Sequence, residues 1–243
     1  MSLVVIPARM GSTRLANKPL VEIAGRPMIE HVYRRAQMAK GVERVIVATD
    51  HEDVAAAVKR FGGDVMMTGE CRTGTDRVAE VARKLPNFGI IVNIQGDEPL
   101  LPPEMIEEVT APLLSDPKLG MASLKRLFLD EEEPTLPSMV KVVTDLNENA
   151  LYFSRSLAPY PRNAVEKGPF LHVGIYAFRR DFLLQFTELH STPLERAEGL
   201  EQLRALEHGI KIRVPTTTHF SIGVDTPDDL ERVRNMFKTQ SSS

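Results

Sequence analysis

The stretch that decides the fold is residues 3–20, LVVIPARMGSTRLANKPL. It opens with an apolar run that ends at Pro7, and such a run predicts a buried strand. Through the first half of the chain, further apolar runs alternate with amphipathic stretches. They predict strands at 42–49, 64–67 and 89–94, and helices at 28–40, 52–60, 76–85 and 102–114. This alternation predicts an α/β fold with a mostly parallel sheet and helices on both of its faces.

The loop behind the first strand contains Arg9, Arg14 and Lys18 and no acidic residue, in a chain of net charge −3. In open α/β sheets, ligands bind outside the carboxyl ends of the strands, which is where this loop is expected. Its cations, together with the small residues Gly11 and Ser12, suit a polyphosphate. The alternative is a basic loop that is merely solvated.

The pattern changes after Gly120. Strands are predicted at 121–129, 140–144, 150–153, 172–178 and 211–215, helices at 193–208 and 227–237, and a loop at 156–169. Because no segment resembles a linker, we expect one domain, residues 1–243, with an inserted lobe at approximately 120–175.

Composition narrows the class of protein. The chain has 243 residues, of which one is cysteine, and an isoelectric point near 6.1. A single cysteine cannot form an internal disulfide and is typical of a reducing compartment. The slightly negative net charge gives no support for a nucleic-acid partner. No apolar stretch approaches the roughly 20 residues of a membrane span. The sequence also opens without the pattern of a signal peptide, so we expect a cytoplasmic protein without a membrane partner.

Two carboxylates stand where a metal ion could be held. Asp97 lies in QGDEP, residues 95–99, directly after a predicted buried strand, and Asp225 lies in GVDTP, residues 223–227, before a predicted helix. Two carboxylates plus substrate phosphates are a usual way of holding Mg²⁺. Taken alone, however, Asp97 could simply end a strand in a turn, and Asp225 could be a helix N-cap.

Other polar segments have two readings as well. The turn CRTGTDR, residues 71–77, could meet the edge of a base or be a plain capped turn. Arg155 could clasp a carboxylate with two parallel hydrogen bonds. His172 and Tyr176 lie four residues apart on a strand and so face one side. No P-loop, dinucleotide-binding glycine motif, nucleophile elbow or metal-spaced Cys/His cluster is found in the sequence.

Taken together, these segments resemble a known family. RMGSTRL, QGDEP, LYFSR, HVGIYAF, LEQL and GVDTP occur in the order found in the 3-deoxy-manno-octulosonate (Kdo) cytidylyltransferases, also called CMP-Kdo synthetases. The resemblance runs nearly from end to end. It implies a three-layer α/β/α nucleotide-diphospho-sugar-transferase-like fold with a small inserted dimerisation lobe. It also implies that CTP and Kdo react to CMP-Kdo and diphosphate for lipopolysaccharide synthesis, with Mg²⁺ as cofactor and a homodimer as the assembly.

The resemblance also implies roles for individual residues. The phosphate-binding residues would be Arg9, Ser12, Arg14 and Lys18. The residues at the cytosine and ribose would be Thr73, Gly74 and Arg77. The Kdo-binding residues would be Arg155, His172, Tyr176, Glu201 and Gln202. The catalytic residues would be Arg14, Lys18, Gln95 and Asp97, and the Mg²⁺ ligands Asp97 and Asp225.

The chain departs from the family pattern at a few positions. Many members read L-P-G-K where this chain has Leu15-Ala16-Asn17-Lys18, and the segment at 158–167 is shorter than usual. Whether the sugar is Kdo or a modified Kdo stays open.

Three other functions also stay open: a cytidylyltransferase for another 2-keto sugar acid such as sialic acid, a catalytically silent nucleotide-binding protein, and an oxidoreductase on a similar sheet. LEQL and FSR argue against the first, the carboxylate pair against the second and the missing glycine motif against the third.

Overall fold

The apolar run at the start of the chain forms a buried strand, as predicted. A computed structural model describes residues 2–11, 14–163 and 168–240. Its strands are β1 (Ser2–Ala8), β2 (Glu22–Ile23), β3 (Arg26–Pro27), β4 (Val42–Thr49), β5 (Val65–Met67), β6 (Ile90–Asn93), β7 (Met121–Leu127), β8 (Lys141–Thr144), β9 (Ala150–Ser154), β10 (Phe170–Arg179) and β11 (Ile212–Arg213). Its helices are α1 (Met28–Gln37), α2 (Glu52–Arg60), α3 (Gly74–Lys84), α4 (Pro103–Ser115), α5 (Arg180–Glu188), α6 (Pro193–Glu198), α7 (Gln202–Glu207) and α8 (Pro227–Gln240).

The chain divides into two compact units. The first comprises Met1–Glu107 and Phe220–Ser243, and the second comprises Glu108–His219. The expectation of a single domain with an inserted lobe at 120–175 stays a prediction. Among the described residues, no helix combines the length and the apolar character that a membrane span requires.

The first unit is built on parallel strands in the order β6-β1-β4-β5. Leu3–Ile6 of β1 are completely buried, as expected for a strand that has neighbours on both edges and helices over both faces. Because the strands are parallel, Ala8, Thr49 and Asn93 end them at the same edge. The Arg9–Lys18 loop, Asp50 and the QGDEP segment follow at that edge, which confirms the predicted placement of the loop and of Asp97.

The C-terminal helix completes the first unit through an apolar cluster. Its buried members are Ile23, Met28, Val224, Leu230 and Val233. Leu15 and Val21, on either side of Lys18, pack against this cluster from the loop. The packing therefore joins the start of α8 to the segment that carries Lys18.

The second unit has mainly antiparallel strands. β10 pairs with β7 and β8 in antiparallel orientation, β8 pairs with β9 likewise, and β11 runs parallel to β7. The change of pattern predicted after Gly120 thus corresponds to the change from parallel to antiparallel pairing.

One prediction about the elements of the second unit is wrong, and one element was not predicted. The helix predicted at 193–208 is broken into α6 and α7, because Gly199 ends α6 with a positive φ of 62°. Helix α5 was not predicted, and it follows directly on the long strand β10. The loop predicted at 156–169 falls partly on residues 164–167, which lie outside the described residues.

Candidate active site

Lys18 is held by a turn whose backbone is specified locally. Asn17, which precedes it, has φ 51° and ψ 32°, in the left-handed region that asparagine adopts more readily than most residues. Lys18–Leu20 then form one turn of 3₁₀ helix, and the Leu20 amide donates to the Asn17 carbonyl at 2.8 Å. Asparagine in place of the glycine of L-P-G-K is therefore compatible with the conformation of this turn.

Asp97 is positioned by a close approach of two backbone segments. A Cβ atom at Gly96 would lie 3.2 Å from the carbonyl oxygen of Pro7, so a side chain at this position would crowd the end of β1. The Val224 amide also donates to the carbonyl of Asp97 at 2.9 Å. This hydrogen bond places Asp225, the residue after Val224, beside Asp97.

Asp225 is not the N-cap of α8. The hydroxyl of Thr226 accepts from the Asp229 amide at 3.2 Å, and the Asp229 carboxylate accepts from the Thr226 amide at 2.9 Å. This reciprocal pair is a capping box, so Thr226 is the cap. The capping alternative for Asp225 is thereby excluded, and its carboxylate is available for other contacts.

Lys18, Asp97 and Asp225 form a charged cluster. The Lys18 ammonium donates to Oδ2 of Asp97 and, at 2.6 Å, to Oδ1 of Asp225. Arg14 lies 3.2 Å from the other oxygen of Asp225. Burial disfavours the charge on Lys18, but Asp97 and Asp225 outweigh it, so the pKa of Lys18 is raised above its ordinary value. The lysine is therefore cationic at any physiological pH.

The donor set of this cluster fits a hard cation. Two carboxylates that both reach one ammonium group are close enough to share one Mg²⁺ ion, which prefers oxygen ligands. Among the described residues, no group of three or more His, Cys, Asp or Glu side chains could hold a metal ion. An ion at Asp97 and Asp225 would therefore need further oxygens, such as those of a nucleotide phosphate and water.

For the other predicted phosphate-binding and catalytic residues, the structure gives a position in the chain and an exposure at most. Arg9 is exposed directly after β1, and Gln95 is half-buried two residues after β6. Ser12 lies outside the described residues. Roles for these three residues stay predictions.

The predicted cytosine and ribose residues begin α3. Thr73 is its N-cap and accepts from the Asp76 amide at 3.1 Å, and Gly74 is its first residue. The buried guanidinium of Arg77 donates to Thr68 and, at 2.6 Å, to Asp50. Thr73 and Arg77 thus have structural partners within the chain, and their contact with a nucleotide stays a prediction.

In the second unit, the guanidinium of Arg155 binds backbone carbonyls. Its Nε donates to Glu198 at 2.6 Å, and its terminal nitrogens donate to Pro137 at 2.9 Å and to Gly199 at 3.4 Å. A guanidinium has five N–H groups, so donors remain for a carboxylate ligand. Arg155 therefore ties the end of β9 to the junction of α6 and α7, and its predicted pairing with a sugar carboxylate is untested.

Glu198 reinforces this connection, and sequence reasoning missed it. Its carboxylate accepts from the Ser154 hydroxyl and the Arg155 amide, both at 2.9 Å. It also raises the pKa of the Tyr152 hydroxyl, although burial contributes more to that shift. A glutamate in an amphipathic helix carries no sequence signal for such a role.

The junction that Glu198 and Arg155 hold leads directly to two predicted sugar-binding residues. Glu201 immediately precedes α7, and Gln202 is the first residue of that helix. Gln202 is only 3% exposed, and its side-chain nitrogen has no hydrogen-bond partner among the described residues. Because a buried donor without a partner is costly, Gln202 is suited to meet a polar ligand.

His172 and Tyr176 lie together, as predicted, although β10 is irregular between them. Their ring centroids are 5.4 Å apart, and the His172 ring meets Phe153 edge-on at 5.0 Å. Burial lowers the pKa of His172 to about 3 and raises that of Tyr176. Both side chains are therefore neutral near pH 7 and suited to hydrogen bonding rather than to ion pairing.

Comparison with known proteins identifies relatives of this chain. A family model described as cytidylyltransferase matches residues 3–212. The 3-deoxy-manno-octulosonate cytidylyltransferase of Geobacter sulfurreducens is 50% identical over 246 residues, which cover 96% of this chain and 98% of that protein. The enzyme of the same name from Geobacter metallireducens is 52% identical over 241 residues, which cover 94% of each chain.

Solved structures are similar as well. The structure of CMP:2-keto-3-deoxy-manno-octonic acid synthetase complexed with CTP has a TM-score of 0.93 and 46% identity, and covers 98% of this chain and 99% of that one. The 4-diphosphocytidyl-2C-methyl-D-erythritol synthase from Anaerococcus prevotii, at 14% identity and a TM-score of 0.66, shares the fold over 98% of this chain and 96% of its own. Since a family model matches most of its length and relatives are half identical from end to end, the chain belongs to the 3-deoxy-manno-octulosonate cytidylyltransferase family.

Proposed function

We propose that this chain transfers the cytidylyl group of CTP to Kdo, which yields CMP-Kdo and diphosphate. The observation that carries the proposal is the cluster of Lys18, Asp97 and Asp225 at the carboxyl edge of a parallel sheet, in a chain half identical to proteins of that name. The relative of 46% identity whose structure was solved with CTP supports the same nucleotide.

The reaction is a displacement at phosphorus. The anomeric hydroxyl oxygen at C2 of Kdo forms a bond to the α-phosphorus of CTP, the bond to the β-phosphate oxygen breaks, and the hydroxyl proton passes to solvent. Such displacements are catalysed mainly by positioning and by stabilisation of charge. Arg14 and Lys18 would supply positive charge for the phosphates and the departing diphosphate, and the raised pKa of Lys18 keeps that charge present.

Mg²⁺ would be held by Asp97 and Asp225, with phosphate oxygens among its remaining ligands. When bound, it would neutralise phosphate charge and polarise the α-phosphoryl group. Arg14 and Lys18 now contact these carboxylates, so both cations lie close enough to serve the same phosphates.

Residues of the second unit would bind the sugar acid. Arg155 retains N–H donors for the carboxylate, and Gln202 has an unpartnered buried nitrogen for a hydroxyl. Glu201, His172 and Tyr176 would contribute further hydrogen bonds to the hydroxyls. All five contacts rest on the family resemblance and on the chemistry of these side chains.

The finer assignments are proposals too. We place the enzyme in the cytoplasm, in the supply of an activated sugar for lipopolysaccharide, and we expect a homodimer formed through the lobe at 120–175. In that lobe Leu151 and Tyr160 are 59% and 84% exposed, which suits an interface, although single exposed apolar residues are common. Light scattering after size-exclusion chromatography tests the dimer.

Phosphorus NMR of the reaction mixture tests the proposed chemistry. With CTP, Kdo, Mg²⁺ and the enzyme, the triphosphate signals should be replaced by those of diphosphate and one phosphodiester. Appearance of CMP as a monoester would indicate hydrolysis, and unchanged CTP would indicate binding without transfer. Either result would overturn the proposal.

A further inference from the structure

Ser123 lies beneath the irregular part of β10. It is fully buried on β7 and pairs with Tyr176, whereas its neighbour Leu124 pairs with Val173. The register between β10 and β7 therefore shifts between Val173 and Tyr176, and β10 bulges there.

The Ser123 hydroxyl contacts three polar atoms at once. Its oxygen lies 3.1 Å from the carbonyl of Val173, 2.9 Å from the carbonyl of Ile175 and 2.9 Å from Nε2 of His172. A hydroxyl has one proton to donate, whereas a carbonyl oxygen can only accept. The proton of Ser123 can therefore satisfy one carbonyl at a time. If Ser123 donated this proton to His172 instead, both carbonyl oxygens would face the hydroxyl oxygen with no proton between them.

The remaining arrangement leaves the fewest groups unsatisfied. Ser123 donates to a carbonyl of the bulge, and its oxygen accepts a hydrogen bond from Nε2–H of His172. A neutral imidazole carries one proton, so Nδ1 then has a lone pair and accepts. The described residues give the His172 ring no other hydrogen bond than the one at Nε2.

We infer that Ser123 holds His172 in the Nε2–H tautomer and thereby makes Nδ1 the acceptor for a hydroxyl group of the sugar acid. The second half of this inference rests on the proposed function; the first does not. Ser123 is thus a positioning residue, because it acts on the ligand through His172. A ligand group at Nδ1 must donate a hydrogen bond, so a hydroxyl is accepted there and an ether or a fluorine is not.

The aromatic neighbours and the burial of the His172 ring both favour a neutral imidazole. Phe153 and Tyr176 flank it at 5.0 and 5.4 Å, and burial lowers the pKa of His172 to about 3. Its charged form is therefore absent over the ordinary working range, and the tautomer alone decides which nitrogen donates.

Nitrogen NMR of the whole chain labelled with ¹⁵N-histidine tests the tautomer without substrate. The chain has six histidines, and a His172→Gln variant identifies the signal of residue 172. We expect the wild-type signal to show Nε2–H and to stay unchanged between pH 5 and 8. The Ser123→Ala variant should shift toward the other tautomer, while Ser123→Thr, which keeps the hydroxyl, should not. A wild-type Nδ1–H form, or an unchanged tautomer in Ser123→Ala, overturns the inference.

Steady-state kinetics test the role toward the sugar. Loss of the fixed tautomer in Ser123→Ala should raise KM for Kdo about tenfold, the size expected for one hydrogen bond, with KM for CTP nearly unchanged. Ser123→Thr should restore KM for Kdo. If the wild type shows the Nε2–H signal but Ser123→Ala leaves KM for Kdo unaltered, the proposed contact between Nδ1 and the sugar is wrong, whereas the proposed tautomer stands. An enzyme that shows the tautomer but makes no CMP-Kdo would instead contradict the proposed function.

Discussion

At the scale of single residues, Lys18 has an unusual environment, because two carboxylates accept from its ammonium group. The side chain of Lys18 is 13% exposed and that of Asp97 is 29% exposed, so the pair is only partly screened by water. Each carboxylate stabilises the charge of the lysine, and the lysine in turn keeps the carboxylates from repelling each other. A bound phosphate would replace the carboxylates as the partner of Lys18, and a bound cation would replace Lys18 as the partner of the carboxylates. Both new contacts would again join opposite charges and would be stronger.

Replacing Asp225 by asparagine tests its place in this cluster. Asp225→Asn and Asp97→Asn keep the size of the side chain but remove one charge, so each should lower turnover about 10²- to 10³-fold, as loss of a catalytic electrostatic contact does. Asp228→Asn, an exposed change three residues away, should leave turnover unaltered. Turnover of Asp225→Asn equal to that of Asp228→Asn would remove Asp225 from the catalytic group.

Arg155 allows a second test at this scale. A lysine keeps the charge but cannot donate to several acceptors in one plane, so Arg155→Lys should raise KM for Kdo tenfold or more, which corresponds to about 1.5–3 kcal/mol. KM for CTP should change little. The matched control is Arg162→Lys, at an exposed position. An equal rise in both constants would mean that Arg155 supports the fold or the nucleotide rather than the sugar.

At the scale of elements, strand ends and caps position the candidate site. The capping box of Thr226 and Asp229 begins α8 one residue after Asp225, and Val224 is buried in the cluster that includes Leu230. The sequence predicted the strand ends because Val- and Ile-rich runs identify them. It did not predict the break at Gly199, since the leucines of α6 and α7 continue an apparent helical period across the glycine.

Glu198, which anchors the α6–α7 junction to β9, allows a prediction about stability. In Glu198→Gln the amide keeps one acceptor and brings a donor to face the Ser154 hydroxyl or the Arg155 amide. We expect the free energy of unfolding measured in urea to fall by about 1–3 kcal/mol, the cost of leaving partly buried polar groups poorly paired. The exposed Glu131→Gln provides the control. A free energy of unfolding equal to that of the control would show that the junction does not depend on Glu198.

At the scale of the whole molecule, the sequence predicted the class of fold and the residues that form the charged cluster, but not the contacts that other side chains make within the protein. The approach of Lys18 and Asp97 followed from parallel strands that end at one edge, whereas Asp225 is brought beside Asp97 by the hydrogen bond between the Val224 amide and the Asp97 carbonyl. Arg77 was predicted at the nucleotide, which stays a prediction; its contacts with Asp50 and Thr68 were not foreseen, because a sequence does not show which partners a buried arginine will find. Ser123 and Glu198 were not predicted for the same reason.

The most direct measurement is the release of diphosphate by the wild-type chain with each nucleoside triphosphate and each of two sugar acids. Our account predicts Mg²⁺-dependent release with CTP and Kdo, and little with CTP and sialic acid or with Kdo and the other triphosphates. Release with sialic acid at a comparable rate, or no release with CTP and Kdo, would contradict it.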